Sequence, residues 1–216
     1  MKALFSPDSK FMCLMSRVGD LMVLNLLFLV TCIPIVTIGA AATSLYTICF
    51  RFGTDREGRM FRTYFQTFRA EFKQGTLLWL MLLLFGCMTA LDAYLFYCMP
   101  GGMHWLFLLF IFLFILVVFI LSYAFPLMSQ FDNKALPTFK NALVLSLGYL
   151  PRSILMTAFN IFPFLLLYID FYAFLQMGFL WVALYFSTTA YANSILLKKV
   201  FAPYLPEPEE PEKEDE

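Results

Sequence analysis

Residues 33–46 read IPIVTIGAAATSLY, directly after the apolar run LMVLNLLFLVTC of residues 21–32. The stretch is too apolar for an ordinary loop and too rich in small residues for a lipid-facing helix. A proline drives the residue before it out of the α region, so Pro34 ends the first helix. Proline also suits the first turn of a helix, so Pro34 can open the next one. Beyond it Gly39, Thr43 and Thr47, and Ala40 and Ser44, recur every four residues. That spacing makes a face without bulky side chains, against which another helix can approach closely. The reading is a tight, proline-broken helical hairpin that spans or re-enters, with both ends on the cytoplasmic side. Pro34, Thr37 and Gly39 then serve helix packing or, on a sharper reading, a broken-helix solute site in the membrane's outer half.

Working outward, 61% of the 216 residues are hydrophobic, 14% are charged and 27 are Phe. The mean hydropathy is +0.77. Soluble domains carry about a quarter charged residues, so this is the composition of an integral membrane protein. Long apolar segments fall at about residues 19–33, 34–50, 76–98, 103–125, 153–169 and 171–197. About 20 helical residues cross a 30 Å hydrocarbon layer, which leaves the first two segments marginal. Backbone in lipid has to satisfy its own hydrogen bonds, so all of them are expected to be helical. The expected fold class is an all-α polytopic membrane protein with six helical membrane segments. It has one membrane domain over residues 1–200 and a disordered acidic tail over 201–216.

All fifteen Lys and Arg lie before the first segment, between the second and third, between the fourth and fifth, or after the sixth. That places both termini in the cytoplasm of a multi-pass cell-membrane protein. Ala40-Ala-Ala42 also looks like a leader-cleavage site, but Asp8, Asp20 and the length of the preceding stretch speak against one. The last ten residues, EPEEPEKEDE, hold seven of the fifteen acids and one base, leaving a body of net charge +6.

Two amphipathic helices are expected on the cytoplasmic side. In Asp55–Gly75 (DREGRMFRTYFQTFRAEFKQG), Phe61, Phe65, Phe68 and Phe72 share helical spacing with Tyr64, and arginines occupy other faces. Such a helix lies in the interface, aromatics in lipid and bases toward phosphates, or it contacts a partner protein. The second is LPTFKNALVLSLGYLPRS (Leu136–Ser153), with Pro137 in its first turn and Pro151 before the next span. Arg59, Arg62, Phe65, Arg69, Phe139 and Lys140 are the candidate partner contacts. An offset of 78 residues pairs Phe61-Arg62 with Phe139-Lys140 and Asp92 with Asp170, which points to an internal repeat.

Polar groups inside the bilayer are default functional candidates. Here they are Asn25, Asp92, Asn160 and Asp170, with Gln176, Thr188, Thr189 and Asn193 along the last segment. Asp92 reads as a solute or cation ligand or as a helix-end carboxylate reaching water. Asn25 and Asn160 read as helix-to-helix hydrogen bonds, and His104 as a solvated loop residue. The five cysteines (Cys13, Cys32, Cys49, Cys87 and Cys98) read as small apolar residues, with a Cys32–Cys98 disulfide as a minor alternative. The chain has no HExxH, GxSxG or P-loop motif and one His, so no enzyme activity, cofactor, metal or nucleic-acid partner is expected.

Asn25-Leu-Leu, CIPIVTIGAAATSLY and YFQTFRAEFKQG running into TLLWL resemble the YesL-like family of bacterial integral membrane proteins. That family has an Asn-Leu opening, a Pro-x-Val-Thr-Ile-Gly core and a Phe-rich segment before the next span. Ser44 and Glu71 depart from the usual Ala and Asn. The resemblance implies a membrane protein beside carbohydrate-uptake systems, with transporter subunits or a sensor kinase as partners and no established activity. The expected function is therefore a non-enzymatic accessory of sugar uptake. The alternatives are a stand-alone small-solute transporter and a membrane scaffold or assembly factor.

Overall fold

A computed structural model describes residues 10–52, 60–99, 103, 105–131 and 134–204. Among them all regular structure is helical. The order is α1 (Lys10–Thr31), a 3-10 turn (Ile35–Thr37), α2 (Ile38–Arg51), α3 (Met60–Ala70), α4 (Phe72–Cys98), α5 (Leu106–Gln130), α6 (Ala135–Gly148) and α7 (Leu150–Ile169). Then come α8 (Phe171–Gln176), α9 (Gly178–Leu180), a π-helical turn (Trp181–Tyr185), α10 (Phe186–Phe201) and a closing 3-10 turn (Ala202–Tyr204).

Among the described residues, four rods are long and apolar enough to cross a membrane: Phe72–Cys98, Leu106–Gln130, Leu150–Ile169 and Gly178–Tyr204. Most of their apolar side chains point outward, as in Leu84, Leu91, Phe112, Phe164 and Val182. Contiguous outward apolar surface on that scale requires lipid as its solvent.

Helix α2 is the opposite case, with every residue from Gly39 to Phe50 buried. Its small side chains let neighbours close in from all sides. A Cβ on Gly39 would stand 2.1 Å from the Gly75 carbonyl oxygen, so glycine is required where α2 meets α4. Thr43, Ser44 and Thr47 turn their hydroxyls back onto the carbonyls of Gly39, Ala40 and Thr43 at 2.9–3.0 Å. They are thereby satisfied without a partner helix.

The break differs from expectation in two ways. Pro34 is extended (φ −77°, ψ 117°) and precedes a 3-10 turn, so α2 begins at Ile38. The break also does not face away from α3. The Thr31 hydroxyl lies 2.7 Å from the Tyr64 hydroxyl of α3. The Trp79 indole of α4 donates to the Ile35 carbonyl at 2.9 Å. The far end of α4 packs instead on the start of α5, through Phe96–Phe110 and Tyr97–Phe107.

Other boundaries also shift. Pro151 sits in the first turn of α7, so only Tyr149 separates α6 from α7. The sixth segment is interrupted at Met177, between α8 and α9. The 78-residue offset recurs in the element boundaries: α3 ends at Ala70 and α6 at Gly148, and α4 starts at Phe72 and α7 at Leu150.

Candidate functional site

Helices α1, α2, α5, α7 and α10 and the π turn, with Trp79 of α4, line a half-open cavity of about 360 Å³. From α2 come Ile38, Ala42, Leu45 and Tyr46, one face at helical spacing. Phe28, Trp79, Phe125, Phe164 and Phe186 supply an aromatic wall, and no charged residue lines the space. The polar lining comprises Tyr46, Ser122, Asn160, Tyr185 and Thr189.

These groups are joined by a buried chain. Asn193, fully buried on α10, donates to Asn160 Oδ1 and to the Tyr46 hydroxyl, each at 3.3 Å. Asn160 in turn donates to Ser122 Oγ at 3.3 Å. Ser122 donates to the Val118 carbonyl at 3.1 Å and lies 3.5 Å from the Thr157 hydroxyl. Tyr185 of the π turn donates to the Phe159 carbonyl of α7. One atom of the chain, Asn193 Oδ1, is buried without a hydrogen-bond partner. An orphaned buried acceptor costs about 1–3 kcal/mol, and Asn193 stands behind the cavity lining rather than in it.

Asn25 does something else. Its Nδ2 donates to the Trp181 and Val182 carbonyls at 3.3 and 2.6 Å, and its Oδ1 accepts from the Ser187 amide at 3.0 Å. A π turn frees backbone groups from the helical ladder, and the carboxamide of Asn25 takes them up. The Ser187 hydroxyl completes the seam by donating to the Leu21 carbonyl at 2.8 Å. Asn25 is therefore a pin between α1 and the π turn, outside the cavity lining.

The remaining candidates separate. Thr37 ties the break together, its hydroxyl donating to the Thr31 and Pro34 carbonyls at 2.5 and 2.7 Å. Gly39 is the α2–α4 contact. Asp92 is half-buried on α4, about 20 Å along the helix from Trp79, and so stands apart from the cavity. Asp170 caps α8, accepting from the Ala173 amide at 3.1 Å. Arg62, Phe65 and Arg69 share one exposed face of α3 with Phe61. Tyr64, expected to join the lipid-facing aromatics, is wholly buried instead. That burial pushes its phenol well above the ordinary range. On α6, Lys140 is exposed while Phe139 packs against the core.

Arg59 and His104, Asp55 to Gly58, and the acidic tail beyond Tyr204 lie outside the described residues. Cys32, Cys49, Cys87 and Cys98 are free thiols, so no Cys32–Cys98 disulfide forms. Sequence reasoning named Asn160, Thr189 and Asn193 but missed Tyr46, Ser122, Tyr185 and Gly75. Ser122 and Tyr123 are the break in the apolar run LFLLFIFLFILVVFIL, which was the available signal.

Long outward-apolar helices around an uncharged, hydrogen-bonding interior define a multi-pass α-helical membrane protein. Residues 21–93, about a third of the chain, match the family model described as "Protein of unknown function, DUF624", the family of YesL-like membrane proteins. No curated protein and no solved structure matches the chain.

Proposed function

We propose that the protein binds and passes a small neutral solute through the cavity walled by α2. The observation that carries this reading is an uncharged, aromatic-walled space of about 360 Å³ with a hydrogen-bonding chain on one side. Stripping a charge of water in a cavity without a counter-ion is prohibitive, so the solute is uncharged. Aromatic faces and carboxamides together suit a molecule with both C–H faces and hydroxyls, which keeps a monosaccharide or polyol among the first solutes to try. On this reading residues 10–51 enter and leave on the α3 side. Helix α2, about 21 Å long, is then a re-entrant element and four rods span.

The test is uptake into proteoliposomes holding only this protein, with glucose, mannitol and, as a charged control, gluconate. The expected result is uptake of a neutral member, exclusion of gluconate, and loss of uptake in Asn160→Leu. Uptake no greater than in empty liposomes for every neutral solute would sink the reading.

The exposed Arg62, Phe65 and Arg69 face of α3 favours a second reading, an accessory of a bacterial carbohydrate-uptake system that docks on transporter subunits or a sensor kinase. It predicts stoichiometric recovery of such a partner in mild detergent, lost on charge reversal at Arg62 and Arg69.

A further inference from the structure

Helix α2 has a hollow on each side. At 100° per residue, Thr47 and Arg51 fall opposite the cavity face of Ile38, Ala42, Leu45 and Tyr46. They line a second space of about 350 Å³, close in volume to the cavity. Its other walls are Thr63, Gln66, Thr67, Ala70 and Glu71, from α3 and its end, and Met128 and Ser129 at the end of α5. The Arg51 guanidinium reaches the Thr63 hydroxyl at 3.5 Å.

This hollow is polar where the cavity is apolar. It places one guanidinium and one carboxylate among four hydroxyls, so it has no net preference for either sign of charge. Dense donors and acceptors around balanced charge suit a polyhydroxylated neutral molecule. The two spaces are thus matched in volume and in the neutrality of what they accept, and α2 and the end of α5 contribute side chains to both. The helix is held by glycine contact at its start, by hydroxyls bonded to its own backbone along its length, and by Arg51 on Thr63 of α3 at its end.

We propose that the hollow of Thr47, Arg51, Thr63, Thr67, Glu71 and Ser129 is a second binding site for the same neutral polyhydroxylated solute, on the α3 side of α2. Helix α2 is the partition the solute passes. This rests on the cavity reading for its solute class, while the site itself is tested separately.

The experiment uses the full chain in liposomes, as Ala42→Cys (cavity) and Thr67→Cys (hollow). A small uncharged maleimide is followed site by site by mass spectrometry, with Cys87 and Cys98 as exposed internal controls. Mannitol and glucose are the probes. At about nine times its Kd a bound probe slows labelling about tenfold. The expected result is slowing at both introduced cysteines and none at Cys87 or Cys98. Slowing at Ala42→Cys alone overturns the second site and leaves the cavity reading standing. Slowing at Thr67→Cys alone sustains the site and overturns the cavity reading. Unchanged labelling at both positions overturns both for this class of solute.

Discussion

Helices α2 and α5 hold corresponding places. Each is followed by a shorter helix, α3 or α6, and then by a long rod, α4 or α7, and the junctions of shorter helix and rod agree at an offset of 78 residues. They are nonetheless built from different material. Helix α5 runs 25 residues, and its outward Phe, Leu and Ile meet lipid. Helix α2 is 14 residues, is stopped at its start by Pro34, and buries everything from Gly39 to Phe50. A helix that faces lipid can carry bulk on every side. A helix enclosed by others has to be thin, and Gly, Ala, Thr and Ser make it so. On the proposed reading the two helices have separate jobs, α5 as wall and α2 as internal partition.

The most severe way to break this contrast is to thicken α2. Gly39→Val puts side-chain atoms into the Gly75 backbone and is expected to abolish monodisperse protein in detergent, a loss of at least about 3 kcal/mol. Gly86→Ala on α4 is the control, since its new Cβ would meet only Val117 at 3.5 Å. It is expected to leave the melting temperature within about 2 °C. Equal behaviour of the two variants would remove the argument for a partition.

Next in size is Asn25→Leu, which strips the carboxamide from the Trp181 and Val182 carbonyls and the Ser187 amide. Orphaned backbone groups cost about 1–3 kcal/mol each, but a π turn can relax toward an α-helix, so about 2–3 kcal/mol in total is expected by thermal unfolding. Asn160→Leu touches the same bundle through side-chain partners only. Its stability cost is expected near 1 kcal/mol, since hydrogen bonds inside membranes average about 0.6 kcal/mol. Its effect on solute uptake is expected to be at least tenfold.

Tyr64→Phe sharpens the placement of the break, because it removes the bond to Thr31 and nothing else. A loss of about 0.5–1 kcal/mol is expected. The phenol also carries a pH signature. Burial raises its folded pKa above the ordinary value of 10.0, so its contribution is complete below pH 10 and is lost as pH climbs toward the raised folded value. The wild type should therefore lose stability above pH 10 more steeply than Tyr64→Phe. The smallest effect belongs to Asp92→Asn, which should leave uptake unchanged, since Asp92 stands about 20 Å along α4 from Trp79.

Much of this architecture was legible in residues. Composition announced the bilayer, Pro34 the break, and the four-residue spacing of Gly39, Thr43 and Thr47 the enclosed helix. Pro137 marked the first turn of α6. What sequence could not supply was depth and pairing. The break looked like an outer turn because charge counts only order the loops along the chain. They do not say how far a helix enters before turning back. Trp79 and Gly75, which hold the break, read as generic apolar sequence until α4 is laid against α2. Asp92 drew attention because a charge in an apolar run is conspicuous. The cavity uses neutral carboxamides and hydroxyls, which are quieter in sequence.

The most direct test of the partition is the depth of the break, measured by electron–electron distance between spin labels in a bilayer. One pair joins Ile33 to Lys73 and the other joins Ile33 to Tyr97, all three positions being exposed. Lys73 and Tyr97 lie about 36 Å apart along α4. The account predicts that Ile33 is much nearer Lys73, because Ile35 and Gly39 meet α4 at Trp79 and Gly75. A shorter distance to Tyr97 would place the break at the far end of α4, make α2 an ordinary span, and contradict the account.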